Sequence, residues 1–417
     1  MRKVIVVGGG ASGLTAAIFA ARNGQQVTIL EHKDRVGKKI LMTGNGKCNL
    51  TNTNDFRGKY YSSNQKSLQR IYDTLVRFGS DDTRAFFEKM GLYTKEKKDG
   101  GVYPVSEQAS AVLDVLRGEC ERLGVQVRTG CEVCGIAPQK QDRNVRAVCQ
   151  GKDGKKRQAT FSYDKLILAA GGKAAPVSGS DGSGYLLAAS LGHSVVKPLP
   201  ALVQLRCAGG FFKSVSGVRA QAGLTLYIEG RAAAFEEGEL QLTDYGISGI
   251  PVFQFSRMAA RALDAGKACE VGIDFLPYVQ ETDRDCFAKK NADDAAFGYK
   301  TVEALLAGMV HKKVASMICR KHKTGADLTV VQAGKDAVLG CIYELFDFRV
   351  KIVGTNPFEN AQVCSGGVPI GEVDDCFASK LCKDVYLIGE LLDCDGICGG
   401  YNLQWAWATG AIAGASV

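Results

Sequence analysis

The sequence predicts an α/β protein: a parallel nucleotide-binding sheet of the Rossmann type, split by an inserted antiparallel β unit that carries a helical piece. Three observations predict it. The chain opens on an apolar strand that runs into a glycine turn and a small-residue helix. Apolar strands ending in glycine return near positions 170 and 389. Between them, beyond Pro198 and Pro200, the texture changes to short alternating segments and then to a polar helical stretch.

The opening is Val4-Ile5-Val6-Val7-Gly8-Gly9-Gly10-Ala11-Ser12-Gly13, followed by Leu14, Thr15, Ala16, Ala17, Ile18, Ala20 and Ala21. Four β-branched residues make a buried strand, and Gly8, Gly10 and Gly13 stand at the G-x-G-x-x-G spacing. The first glycine permits the tight turn, the second lets a pyrophosphate approach the backbone, and the third lets the helix pack on the strand. Ala11 and Ser12 sit at the helix start, where free N–H groups and the helix dipole favour phosphate. A second strand, Val27-Thr28-Ile29-Leu30, ends in Glu31, 18 residues after Gly13. That is close to the roughly 20 residues expected of a carboxylate that holds ribose hydroxyls. A glycine spacing alone is weak evidence; here the flanking strands, the helix and the acid all agree.

Composition sets the bounds. At 417 residues the chain exceeds a single core and calls for two or three domains. No apolar run nears the ~20 residues of a membrane span, and the first residues enter a core strand without a leader pattern, so a cytoplasmic protein is expected. Fifteen cysteines then read as reduced thiols. Cys131-Glu-Val-Cys134 lies in a predicted strand, where positions i and i+3 face opposite sides, so it reads as neither a redox motif nor a metal site. Cys48, Cys394 and Cys398 read as small buried apolar residues in glycine-rich loops. The net charge of +8 is spread over short lysine and arginine runs without interleaved aromatics, which argues against a nucleic-acid groove and for an anionic small-molecule partner. The sequence carries no mark of oligomeric state.

After Glu31 comes a glycine- and asparagine-rich segment, residues 37–52. Helical patterns cover about 67–78, 81–90 and 110–123, with a strand end at 101–104. A strand begins at Val125, and a polar hairpin is expected over 139–157. Lys165-Leu166-Ile167-Leu168-Ala169-Ala170-Gly171-Gly172 is a buried strand that rejoins the sheet beside the first, and a helix follows to Gly192. Residues 202–206, 224–228 and 239–242 read as short antiparallel strands, 280–323 as polar helices, and 328–331 and 348–353 as strands again. Asp384-Val385-Tyr386-Leu387-Ile388-Gly389-Glu390 restores the sheet before a last helix from Leu403. The expected domains are a discontinuous nucleotide domain over 1–195 and 355–417, a β-rich insert over 196–278 and 325–354, and a helical cap over 279–324.

Three features favour FAD over NAD as the resident nucleotide. The strands near 170 and 389 resemble the later elements of the glutathione-reductase-like flavoprotein fold. The helix that begins after Gly400 would aim its positive end at a ligand, where it stabilises negative charge on a reduced flavin. No second G-x-G-x-x-G follows a later strand, so NADPH or NADH would bind only transiently.

Residues 37–52, Gly101-Val-Tyr-Pro-Val-Ser106, Leu242-Thr-Asp-Tyr-Gly-Ile-Ser-Gly249 and residues 389–410 resemble the BaiN-like flavoproteins, which include aminoacetone oxidases and bile-acid Δ4 reductases. The resemblance spans the chain. It implies a split FAD domain with a β-barrel-like insert and a small helical domain. It also implies that residues 8–13 hold the pyrophosphate and Glu31 the adenosine ribose. Lys38, Lys39, Thr43, Gly44, Asn45, Gly46, Cys48, Asn49 and Leu50 would lie along the flavin, and the main chain of Val133 would face the adenine. Gly171, Gly389, Glu390, Gly400, Asn402 and Leu403 would complete the cofactor site. The chain departs from the pattern at Asp244, where a histidine is common, and at Ile250, which separates Gly249 from a proline.

Three functions stay open. The first is reduction of an enone on a steroid-like small molecule by hydride transfer through flavin N5, with NAD(P)H as donor. This needs a proton donor, for which Tyr245 and Tyr401 are the candidates. The second is oxidation of a small amine or amino-ketone by oxygen, and the third a tRNA-modifying or non-catalytic flavoprotein. His193, after a helix end, reads as a structural cap, and the four histidines form no visible cluster.

Overall fold

The computed structural model describes residues 1–137, 143–151, 153–325 and 327–417. They form two compact units, Met1–Leu199 with Ala361–Val417, and Pro200–Asn360, each with its own apolar core.

In the first unit, strand β1 (Lys3–Val7) leads into α1 (Ala11–Arg22), β2 (Gln26–Leu30) and the short α2 (Lys38–Met42). Helices α3 (Ser67–Arg77), α4 (Ser80–Glu88) and α5 (Ala109–Arg122) follow. Strands β3 (Gln126–Arg128), β4 (Cys131–Ile136), β5 (Asn144–Gln150), β6 (Lys156–Ser162) and β7 (Lys165–Leu168) come next, then α6 (Ser183–Ser190). The second unit holds β8 (Leu205–Cys207), β9 (Arg219–Ile228), β10 (Arg231–Leu242), β11 (Gly246–Ser248), α7 (Ile250–Asp264) and β12 (Cys269–Asp274). It continues through α8 (Arg284–Asn291), α9 (Val302–Ala307), α10 (Lys312–Lys321), α11 (Lys335–Phe346) and β13 (Phe348–Thr355). The chain then returns to the first unit for β14 (Val385–Leu387) and α12 (Tyr401–Ser416).

Five parallel strands form the main sheet in the order β14-β7-β1-β2-β3. The strand over 165–168 therefore pairs directly with β1, and the last strand lies beyond it. Because all five run the same way, the glycine-rich ends at Gly8, Gly171 and Gly389 share one edge, on three neighbouring strands. Helix α12 packs along α1 through glycine: a Cβ on Gly410 would stand 2.6 Å from Ser12 O, and one on Gly414 2.4 Å from Ala16 O. Trp405 and Trp407, both buried, lock the same helix by donating to Gly389 O (3.0 Å) and Leu50 O (2.9 Å). Buried Gln404 accepts from Thr51 and Thr83 and donates to Phe78 O, so both the oxygen and the nitrogen of its amide are engaged.

Strands β4, β5 and β6 form a separate antiparallel sheet. Its β5–β6 pair is the expected polar hairpin, of which residues 139–142 and 152 lie outside the described residues. Cys131 is buried and Cys134 exposed, on opposite faces as the strand reading requires. One expectation fails here. Cys131 and Cys149 stand directly opposite in the β4–β5 ladder and are joined as a disulfide, so not every cysteine is a free thiol. Eighteen residues separate them along the chain, and only strand register brings them together.

The second unit is built on a closed six-stranded antiparallel barrel, β8-β11-β10-β9-β12-β13. Two of its strands are far longer than the sequence pattern suggests, ten residues for β9 and twelve for β10. The first part of β10 is alanine- and glutamate-rich and exposed, with weak intrinsic strand preference; its ladder to β9 holds it extended. The strand expected at 328–331 is instead the start of a helical turn. Thr329 accepts from Gln332 N–H while the Gln332 side chain reaches back to Thr329 N–H. Helical structure continues through α11 to Phe346.

Candidate functional site

The turn after β1 is shaped by close backbone approach. Gly8 has φ +100°, and a Cβ there would lie 2.5 Å from Ala169 O; a Cβ on Gly13 would lie 2.0 Å from Gly8 O. Around Gly10 the reverse holds: its Cβ would meet nothing within 4 Å. Helix α1 begins at Gly10 without a side-chain cap and without an acid in its first turn. Open space, uncapped N–H groups at Ala11 and Ser12 and the positive helix end together fit an anion.

Glu31 closes the other side of the turn. It is 7% exposed; Oε2 accepts from Gly9 N–H (2.9 Å) and Oε1 from Lys33 N–H (2.8 Å). Each oxygen keeps a further acceptor site for a hydroxyl. Cys131 N–H donates to Glu31 O at 2.9 Å, which sets the start of β4, and with it Val133 two residues on, against this carboxylate's backbone.

Residues 38–50 form α2 and a tight turn in which Gly44, Asn45, Gly46 and Cys48 all take positive φ. Thr43 Oγ1 donates to Ile40 O (2.6 Å) and Thr43 O accepts from Cys48 N–H. Gly44, Asn45 and Gly46 are exposed, whereas Cys48 and Leu50 are core residues. Burial pushes the Cys48 thiol up to about 12, so it packs rather than reacts. Asn49 Oδ1 is buried without a partner. Lys38 pairs with Asp34. Lys39 reaches across the sheet edge to Glu390, Nζ to Oε2 2.6 Å, a contact between residues 351 apart.

Glu390 follows Gly389 at the end of β14, and its Oε1 accepts from Cys364 N–H at 2.9 Å. Gly171 and Gly389 both have positive φ; a Cβ on Gly389 would lie 2.5 Å from Ser12 Oγ, so the β14 end abuts the start of α1. Helix α12 begins at Gly400 (φ +94°), again with no side-chain cap and no acid in the first turn. Asn402 spends its side chain on the preceding loop, accepting from Gly396 N–H and donating to Gly396 O, both 2.8 Å. What Asn402 and half-buried Leu403 present at the helix start is main chain.

The two tyrosines differ. Tyr401 is 3% exposed, its ring edge-on to Phe56 and Tyr60, its carbonyl accepting from Tyr60 OH at 2.7 Å. Burial raises its phenol above the ordinary range. Tyr245, in the second unit between β10 and β11, is half-buried, and its carbonyl accepts from Cys207 N–H.

Three groups carry no sequence signal yet join this edge. Tyr185 OH is buried beside the Cys364 thiol, with no oxygen or nitrogen partner. The Cys364 thiol accepts from Lys173 N–H (3.0 Å), and burial, then the Glu390 charge, push it up to about 12. Asp393, 1% exposed, takes Ser62 Oγ and Ser63 N–H on Oδ2 and leaves Oδ1 buried without a partner. Orphaned atoms of this kind mark a place where a ligand or water completes the bonding.

Away from this edge, a histidine, a carboxylate and a serine meet beside the end of α6. Buried His193 bonds Glu372 (Nδ1 to Oε2, 2.7 Å) and Ser379 (Nε2 to Oγ, 2.8 Å). Ser379 Oγ also accepts from Leu381 and Cys382 N–H, and Glu372 from Ser194 N–H. The chain of bonds ties the end of α6 to the 372–382 loop, a fastening rather than a nucleophile.

The profile described as HI0933-like protein Rossmann domain matches residues 2–416. A 3-dehydro-bile acid delta(4,6)-reductase of Clostridium scindens is 42% identical over 99% of this chain and 98% of its own length. Two ribosomal RNA dihydrouridine synthases match at lower identity. The Haemophilus influenzae protein is 27% identical over 99% of this chain and 98% of its own length. The Escherichia coli protein is 28% identical over 97% and 95%. FAD fits the residues present: an open, uncapped helix start for the diphosphate, a carboxylate with spare acceptor sites for ribose, and buried orphan atoms at the neighbouring strand ends. The chain belongs to the HI0933-like Rossmann family of flavoproteins.

Proposed function

We propose that this protein reduces a carbon–carbon double bond conjugated to a ketone on a steroid-like substrate, with NADH or NADPH as transient electron donor. The full-length likeness to the bile-acid reductase, at 42% identity, is the observation that carries the reading. FAD, when bound, supplies the hydride. The protein's part is to bind and orient. Helix α1 offers its N-terminus to the diphosphate and Glu31 its carboxylate to the ribose. Helix α12 turns an uncapped positive end toward charge that builds on the reduced ring. Lys39 sets Glu390 in place, and Val133 belongs to the adenine side. Reduction also needs a proton delivered to the substrate carbon. Half-buried Tyr245 is the better donor of the two tyrosines, since Tyr401 is walled in by Phe56 and Tyr60.

A second reading has its own support. Two relatives named for dihydrouridine formation also match along the whole chain, and making dihydrouridine saturates a double bond beside a carbonyl. The chemistry is shared, and the substrate is the difference. One experiment tests both: FAD-loaded protein, reduced without oxygen by NADH or NADPH, is mixed with a 3-keto-4-ene bile acid or with unmodified ribosomal RNA. The steroid reading expects flavin reoxidation and a product heavier by two hydrogens with the bile acid alone. Turnover with RNA alone moves the assignment to the second reading, and no reoxidation by either overturns both.

A further inference from the structure

We infer that Tyr185 is a further positioning residue for the flavin nucleotide: its hydroxyl donates to an alcohol of the cofactor's polyol chain that in turn donates to Glu390. This rests on the flavoprotein reading and deepens it. Tyr185 lies in α6 and is 7% exposed, yet its hydroxyl meets no oxygen or nitrogen partner, only the weakly bonding thiol of Cys364. A buried hydroxyl left in that state is unfavourable, so it calls for a group that the protein itself does not provide.

Gly172, which carries no side chain, shows how near the Tyr185 hydroxyl and Glu390 stand to each other. A Cβ built on Gly172 would stand 3.0 Å from Tyr185 OH and 3.0 Å from Glu390 Oε1. The two oxygens thus flank one point and lie no more than about 6 Å apart, a span that one oxygen bridges with two O–H···O bonds of about 2.7–3.0 Å. The lower wall is already bonded: Cys364 N–H serves Glu390 Oε1, the Cys364 thiol takes Lys173 N–H, and Lys39 holds Glu390 Oε2.

The chemistry of the two walls selects the ligand group. Glu390 is an acceptor carrying charge, so a phosphate oxygen is repelled. Burial drives the Tyr185 phenol well above its usual range, with Cys364 and Glu390 adding to the effect, so it stays protonated and donates. Among the groups of a flavin nucleotide, one that accepts from the phenol and donates to the carboxylate is an alcohol. Glu31 already stands at the ribose position of the first turn, which leaves the linear hydroxyl chain next to the flavin ring.

The test is flavin-fluorescence titration of apoprotein with FAD and with riboflavin, beside competition by ADP. Tyr185→Phe removes one oxygen and is expected to weaken FAD and riboflavin about tenfold, the worth of one hydrogen bond to a buried group, while ADP competes unchanged. Gly172→Ala keeps the phenol but sets a methyl group against both it and Glu390, and is expected to give the same split. Wild-type protein that binds no FAD refutes the underlying flavoprotein reading. Wild-type protein that binds FAD, with both variants binding it equally well, refutes the Tyr185 inference alone. Equal losses for riboflavin and ADP refute it as well, because the role would then be general packing.

Discussion

Replacing Gly414 by alanine adds one methyl group to the face of α12 that lies on α1. The new Cβ would stand 2.4 Å from Ala16 O and 2.9 Å from both Ala16 Cα and Phe19 Cβ, where ordinary contact begins at 3.4 Å. Two of these three neighbours are backbone atoms, so no side-chain rotation relieves the clash, and the helices must part by about 1 Å. Overpacking of this kind costs about 1–3 kcal/mol. The helix-propensity gain of alanine over glycine, at most about 1 kcal/mol, offsets part of it. The net expectation is a loss of about 1–2 kcal/mol. Gly118 in α5 supplies the control. Its Cβ would meet nothing within 4 Å, so Gly118→Ala is expected to stabilise by about 0.5–1 kcal/mol. Both tryptophans of the chain, Trp405 and Trp407, sit in α12, so tryptophan fluorescence in urea reports on the first unit. With a slope near 3 kcal/mol/M, the midpoint falls by about 0.5 M for Gly414→Ala and rises for Gly118→Ala. A Gly414→Ala protein that melts at or above wild type refutes the claim that glycine sets this helix spacing.

Arg122 and then Arg22 hold the Glu119 carboxyl at about 2, below its usual 4.5, against the opposing effect of burial. The folded-state pKa is depressed, so this stabilisation is present above about pH 4.5 and lost as pH falls toward 2; it amounts to at most about 3 kcal/mol. Urea midpoints of wild type and Glu119→Gln should therefore converge between pH 5 and 2.5, and a constant gap contradicts the assignment. Native, unreduced protein treated with a maleimide at neutral pH should label exposed Cys134 and Cys286 first, and Cys131 and Cys149 only after reduction. Early labelling of Cys48 or Cys364 in peptide maps would deny their enclosure. In anaerobic enone turnover, Tyr245→Phe should lower the rate about a hundredfold or more, the usual worth of a positioned acid, and Tyr401→Phe only a few-fold. The reverse order would move the proton donor to α12.

Much of the site edge was legible because its marks are local. Gly8, Gly10 and Gly13 signal a turn by spacing, and each finds a steric or spatial reason in the fold. Glu31 announces itself as an acid closing an apolar strand. Tyr185 and Cys364 could not be found that way: a tyrosine in a helix and a cysteine in a strand look like core, and only their meeting beside Glu390 gives them a role. The length of β10 was hidden for a different reason. Alanine and glutamate have little strand preference, and the ladder to β9 overrides it. The turn at Val330 was misread as a strand because a run of β-branched residues outweighed the Thr329–Gln332 capping pair.

By itself the sequence determined the strand–turn–helix of the first residues, the return of apolar strands near 166 and 386, and a change of architecture between them. Those features depend on side-chain period and backbone freedom over a few neighbouring residues. Only the tertiary structure decided that three glycine-ended strands lie side by side, that Lys39 meets Glu390, and that Cys131 bonds Cys149. Each of these depends on sheet order and register, which are set by packing between distant segments and leave no periodic trace in either one.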